Sequence, residues 1–320
     1  MKTKLLFLAK VAVSAVLIYV IFTRVPIVAI ASLFRSINIS YFIAGVFLVV
    51  CSLVANTQKW KVLLHHIGTE ERLWDLIKLN LIGTLYAFLP GGALTGEVVK
   101  GYRITKGRDG KTKIIFSQVM DRLTSFVVFI LLGYAGFLFA RPAIAISAGV
   151  ASAFTILLVG AVLFLFLFLS KHPISWLRAL HLYWTPLDIQ GTFQVFAGGV
   201  IDSIFAYNKA YRTLAGVFFY AMLFQLLNTA GIFFFALSLG FHIGYINLLW
   251  INALVNVILV VPITIMGLGL REGSFLYFLS AFAIHGAQAV SLSLSLFIVA
   301  LILGVAGGCI DLYELSTASK

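Results

Sequence analysis

The sequence predicts an all-α integral membrane protein, a polytopic helical bundle with about six full spans and two broken, re-entrant hairpins. Three observations predict it. Hydrophobic residues make up 62% of the chain against 11% charged, and the mean hydropathy is +1.07, well above that of a water-soluble domain. Apolar runs recur near the roughly 20 residues that a helix needs to cross a hydrocarbon core. Two further stretches combine Pro, several Gly and a charged residue at membrane depth.

The full spans are expected at 5–23, 41–58, 119–140, 143–169, 214–240 and 289–310. Lys2, Lys4 and Lys10 ahead of Val11–Phe22 resemble the start of a signal peptide. No small-residue cleavage site follows closely, so a retained first helix is expected. Residues 79–95, 247–265 and 273–285 are too short or too interrupted to cross comfortably. The whole of 1–320 reads as one transmembrane domain, with a first broken hairpin at 79–97, an interfacial connection at 170–213 and a second broken hairpin at 247–285.

Charge placement sets the expected topology. Lys59, Lys61, Arg72 and Lys78 precede 79–95, and Lys100, Arg103, Lys106, Arg108, Lys111 and Lys113 follow it. Both flanks therefore want the cytoplasm. A hairpin turning at Pro90-Gly91-Gly92 satisfies them, whereas a single crossing exports one. With both termini cytoplasmic, the 23 Lys and Arg less Arg24, Arg35, Arg141 and Arg271 leave 19 inside. The 170–213 connection is divided by Pro173, Pro186 and Gly191 and suits the interface.

Composition narrows the function classes. The net charge of +12 is spread over short loops and forms no basic domain, so it points to topology and anionic lipid headgroups rather than nucleic acid. Cys51 and Cys309 lie in apolar segments and offer neither a disulfide framework nor a CxxC site. His65-His66 reads as a solvent-facing pair. No cofactor and no metal site are expected.

The first break runs Phe88-Leu89-Pro90-Gly91-Gly92-Ala93-Leu94-Thr95-Gly96-Glu97-Val98-Val99-Lys100-Gly101-Tyr102-Arg103, and the second Val261-Pro262-Ile263-Thr264-Ile265-Met266-Gly267-Leu268-Gly269-Leu270-Arg271-Glu272-Gly273. Pro removes an amide donor and Gly weakens a helix. Irregular backbone at this depth must be buried in protein or line a watery cavity. Such segments in both halves point to an inverted repeat with a site near the midplane. The backbone residues of the two hairpins are Pro90, Gly91, Gly92, Gly96, Pro262, Gly267, Gly269 and Gly273.

A charge at the membrane centre costs about 2.5–3.5 kcal/mol on insertion scales. The charges kept here are Glu97, Asp121, Arg122, Arg271 and Glu272. Two roles stand open for each. Arg271 and Glu272 either prop their turn or bind an anionic headgroup, a task that suits a planar guanidinium. Glu97 either favours a helix N-terminus or acts in substrate or proton coupling. Asp121-Arg122 either marks an interface or joins the site. With Lys100 and Arg103 as attractors, the expected substrate-binding set is Glu97, Lys100, Arg103, Asp121, Arg122, Arg271 and Glu272, with no catalytic residue. Asn80, Asn228, Asn252 and Asn256 read as amides joining helices.

On Pro90-Gly91-Gly92, Gly96-Glu97, Lys100, Tyr102-Arg103, Asp121-Arg122, Pro262 and Gly267 through Gly273, the chain resembles the lysylphosphatidylglycerol synthase transmembrane-region family, also called the flippase-like membrane family. That resemblance implies a membrane region that moves a lipid between leaflets. In the bifunctional members a separate soluble domain performs aminoacyl transfer, and here a stand-alone member without it is expected. The function expected is translocation of a lipid with an anionic or otherwise polar headgroup, such as an aminoacyl-phospholipid or a polyisoprenoid-linked sugar. The alternatives are an integral-membrane transferase using Glu97 or Asp121 as base, and a non-transporting scaffold that recruits a lipid-modifying enzyme. Neither hairpin has the strand and helix context of a nucleotide loop or nucleophile elbow.

Overall fold

The computed structural model describes residues 2–89, 92–108, 110–140, 148–169, 207, 210–260, 264 and 266–318. Eleven α-helices run through them: α1 (Lys2–Arg24), α2 (Ile27–Arg35), α3 (Ile39–His66), α4 (Leu73–Tyr86), α5 (Ala93–Thr105), α6 (Lys111–Ala140), α7 (Ala148–Leu169), α8 (Tyr211–Ser238), α9 (Tyr245–Leu259), α10 (Leu270–Ser280) and α11 (Gly286–Ala318). Pro90, Gly91, Pro262 and nearly all of the 170–213 connection lie outside the described residues.

Four helices, α3, α6, α8 and α11, are long and apolar enough to cross a membrane. α1 and α2 count as a fifth crossing only if the pair, bent by 80°, is one span, and the apolar stretches Ala151–Leu163 of α7 and Tyr245–Leu259 of α9 are shorter. The expectation of six full spans is thus met in four helices by length and composition. The helices also outrun their apolar windows. The 41–58 window is the middle of a helix ending at His66, and 119–140 begins at Lys111. α2 falls between the expected spans 5–23 and 41–58, where Pro26 stands at its N-cap.

α3 and α8 pack antiparallel at the centre. The Asn38 amide donates to the Ser238 carbonyl at one end (2.9 Å), and the Thr213 hydroxyl lies 3.2 Å from His66 Nδ1 at the other. Nearer the Asn38 end, a Cβ on Gly231 would stand 3.1 Å from the Gly45 carbonyl oxygen, and one on Gly45 would stand 3.1 Å from that of Gly231. Only two glycines let the backbones approach so closely.

Around this pair the first short helix of each half packs on a long helix of the other half. α4 lies against α11, where a Cβ on Gly307 would be 2.1 Å from the Leu81 carbonyl oxygen. α9 lies against α6, where a Cβ on Gly133 would be 2.4 Å from that of Ala253. The main apolar core, with Phe235, Trp250, Phe275 and Leu292, fills the space among α8, α9, α10 and α11.

Candidate functional site

The first break is a helical hairpin longer than its sequence signal. α4 and α5 cross at Gly83 and Gly96, where a Cβ on Gly96 would stand 2.2 Å from the Gly83 carbonyl oxygen. At the turn, Gly92 has φ +65°, a region L side chains seldom adopt. The hairpin turns the polar face of α5 toward α3 and α6. Leu94, Val98 and Tyr102 stay exposed.

On the inward side a charged cluster forms. Glu97 Oε1 accepts from both Lys100 (2.9 Å) and Arg122 (2.8 Å). Lys100 also donates to Asn80 Oδ1 at 3.0 Å, and its ammonium lies 5.2 Å from the centre of the Trp60 ring. Asn80 donates in turn to Thr57 Oγ1 at 2.9 Å. Next to this group the Asp121 carboxylate lies 3.2 Å from Lys59 Nζ, which also donates to the Asp121 carbonyl at 3.0 Å and to Ser125 Oγ. Three cations and two carboxylates leave the cluster one positive charge in excess. Lys59 is fully buried, while Arg122 is 51% exposed and forms the mouth.

Glu97, Lys100, Asp121 and Arg122 are therefore brought together, and Glu97 stands beyond the first turn of α5 rather than at its N-terminal end. Arg103 is not with them. It turns to the other side of α5 and pairs with Asp311 and Glu314 of α11, and Tyr86 of α4 donates to the same Asp311 at 2.9 Å. Lys59, Asp311 and Glu314 were not singled out from the sequence.

The second break joins α9 to α10 through Met266, Gly267 and Gly269, all at positive φ. Glu272 accepts from the Gly269 amide at 2.6 Å and from Ser293 Oγ at 2.6 Å. Arg271 donates to Ser293 Oγ at 3.0 Å and reaches Glu272 Oε1 at 3.4 Å. The carboxylate thus caps the start of α10 and balances its neighbour's charge. Gly273 has open space where a Cβ would go and no positive φ, so its place in the hairpin does not need a glycine.

The two breaks lie side by side. A Cβ on Gly92 would stand 3.9 Å from the Met266 amide nitrogen. Phe88, entering the first turn, meets Phe297 of α11 edge-on at 5.8 Å, and the Arg271 guanidinium stands 5.9 Å from the same Phe297 ring.

A third polar group occupies α8 and α9. Asn252 donates to Thr229 Oγ1 (3.2 Å) and Asn228 Oδ1 (3.4 Å), and Asn256 donates to the carbonyl (2.8 Å) and Oδ1 (2.9 Å) of Asn252. Its plan repeats that of the first hairpin. Thr57, Asn80 and Thr84 recur as Thr229, Asn252 and Asn256 at one spacing of 172 residues (229 − 57, 252 − 80, 256 − 84). In both halves the Asn donates to the Thr, and the residue one turn on donates to the Asn carbonyl, Thr84 to Asn80 at 2.9 Å.

A search of the curated proteins finds no match. The model of the lysylphosphatidylglycerol synthase transmembrane region matches residues 7–308, which takes in both breaks and the clusters around Glu97, Arg271 and Asn252, and the chain belongs to that family.

Proposed function

We propose that the protein is a lipid translocator, not a transferase, in which two re-entrant hairpins shield an anionic headgroup while its hydrocarbon chains stay in the surrounding lipid. The observation that carries this reading is the contact of the two breaks, Gly92 against Met266, with charged residues gathered behind each. Family membership adds that this kind of membrane domain is related to lipid handling.

Electrostatics sets the order of events in this reading. An anionic headgroup meets exposed Arg122 first and displaces one of the two hydrogen bonds held by Glu97. Lys100, already desolvated by Trp60 and Asn80, then takes it up, and Arg271 receives it deeper. Each exchange replaces one carboxylate partner by a phosphate-like one, so no cation is left bare in low dielectric, where that is costly.

An inverted repeat supports the same reading. The order long helix, short helix, break, short helix, long helix holds for α3–α6 and again for α8–α11, with matching Thr–Asn pairs and exchanged packing of α4 and α9. Two halves of opposite orientation offer the two leaflets equivalent paths. With six spans, residence in the cell membrane and both termini in the cytoplasm, the basic flanks of the first hairpin face the cytoplasmic leaflet.

The test is reconstitution of the pure protein into liposomes carrying fluorescent anionic, zwitterionic, aminoacylated or polyisoprenoid-linked lipids, read by leaflet accessibility. Movement of one class that Arg271→Ala abolishes supports translocation. No movement of any class by folded wild-type protein overturns it. Turnover of a labelled lipid donor in detergent favours a transferase instead.

A further inference from the structure

The amide cluster of α8 and α9 has no task in the reading above, and one buried group beside it is unexplained. Gln225 stands near the middle of α8, three and four residues before Asn228 and Thr229, so all three share a face. It is 0% exposed, yet among the described residues neither its Nε2 nor its Oε1 has a hydrogen-bond partner. A buried amide without partners is costly to keep. The neighbouring chain is also incomplete: among the described residues Asn256 serves only as donor and Asn228 only as acceptor. Both residues are partly accessible.

The repeat tells what kind of group belongs here. In the first half Asn80 Oδ1 accepts from the Lys100 ammonium. In the second half Asn252 Oδ1 accepts from the neutral Asn256 amide, while the residue 172 positions after Lys100 is Glu272 (272 − 100), engaged with Ser293 and Gly269. The second constellation thus keeps the geometry of the first and omits its charge. A site of neutral amides that both donate and accept fits hydroxyl groups, which also do both.

We propose that Gln225, Asn228, Asn252 and Asn256 form a second subsite, which binds the uncharged hydroxyls of a polyol or sugar headgroup while the cationic residues hold its phosphate. The inference rests on the translocator reading. Gln225 is sealed in this conformation, and separation of α8 from its neighbours brings its amide to the ligand.

The experiment measures binding of the full chain in nanodiscs to phosphatidylglycerol and to phosphatidylpropanol of the same acyl chains, two singly charged phosphodiesters that differ in headgroup hydroxyls. A parallel arm compares a glycosylated polyprenyl phosphate with the methyl ester of the same polyprenyl phosphate, again two singly charged diesters, and tells a sugar from glycerol as the source. Wild type is expected to prefer the hydroxyl-bearing member of at least one pair by about tenfold, the scale of one or two well-made hydrogen bonds. Gln225→Leu and Asn256→Leu are expected to bring that ratio to about one and leave the hydroxyl-free lipid bound as before.

Thermal stability supplies the control. Gln225→Leu removes an unpaired buried amide, so it is expected to raise Tm while it abolishes the preference, an outcome that a merely structural role does not give. Wild type that binds both members of each pair equally, or a Gln225→Leu variant that keeps the preference, overturns the subsite. Loss of both members of a pair in Arg271→Ala, with discrimination intact in what binding remains, speaks to the translocator reading alone.

Discussion

Lys59 is sealed inside the helix bundle, with its ammonium nitrogen 3.2 Å from the Asp121 carboxylate. At that level an ion pair joins α3 to α6, beside the apolar contact of Leu63 with Met120. A lysine this deep is tolerated because a carboxylate, a backbone carbonyl and a hydroxyl surround it.

Removal of one partner leaves the other charge buried and bare. Lys59→Met is expected to destabilise the protein by about 3–5 kcal/mol, whereas Lys59→Met with Asp121→Leu recovers most of that loss. Denaturant unfolding in detergent checks it. Equal loss in the single and double variants would show that packing at Lys59, not charge pairing, is what matters.

Glu97 divides one carboxylate oxygen between Lys100 and Arg122, so it competes with any anion for the same two cations. Glu97→Gln is expected to bind anionic lipid about tenfold more tightly and to move it more slowly, because release now lacks the returning carboxylate. Arg122→Ala is expected to weaken binding without a change in the wild-type fold. Lipid titration in nanodiscs, set beside the leaflet-accessibility rate, separates the two effects.

Much of this architecture is legible in the residues, and the gaps have physical causes. Apolar windows locate the long helices because lipid demands unbroken apolar length, and Pro with Gly marks both breaks because helices cannot run through them. Lys59 escapes notice because it follows the 41–58 window and reads as a topological charge, yet the helix continues to His66 and carries it inward. Asp311 is hidden for the same reason at the end of α11. Arg103 is three residues from Lys100 in the sequence, and only the three-dimensional course of α5 against α11 shows that it faces Asp311. The repeat of Thr57, Asn80 and Thr84 at 172 residues is present in the sequence, but three polar residues among so many apolar ones gain meaning only when both sets are seen to make the same hydrogen bonds.

Glycines divide into two kinds that the sequence cannot distinguish. Gly96 faces the Gly83 carbonyl so closely that any Cβ collides with backbone, while Gly273 faces open space. Gly96→Ala is expected to open the first hairpin and cost about 1–3 kcal/mol, as overpacking does. Gly273→Ala is expected to be neutral or to stabilise by up to about 1 kcal/mol, since it lies inside α10 and Ala favours helix. Thermal unfolding of the two variants in one detergent tests the contrast, and the reverse order would mean that the crossing of α4 and α5 is wrongly placed.

Arg103 ties the first hairpin to the last helix. It bridges Asp311 and Glu314, and Tyr86 from the partner helix of the hairpin reaches the same Asp311. Both arms of the hairpin are thus anchored to one carboxylate that is itself almost fully buried. Arg103→Ala leaves Asp311 with Tyr86 alone, and a charge-reversed pair, Arg103→Asp with Asp311→Arg, restores attraction with the direction exchanged. A double-mutant cycle on unfolding is expected to give a coupling of about 0.5–3 kcal/mol. If the anchor also restrains hairpin movement, a spin-label pair on α5 and α11 will show a broader distance distribution in Arg103→Ala and a narrower one in the reversed pair. Coupling near zero, with unchanged distances in both variants, would mean that α4 alone fixes the hairpin through the Leu81 and Gly307 contact.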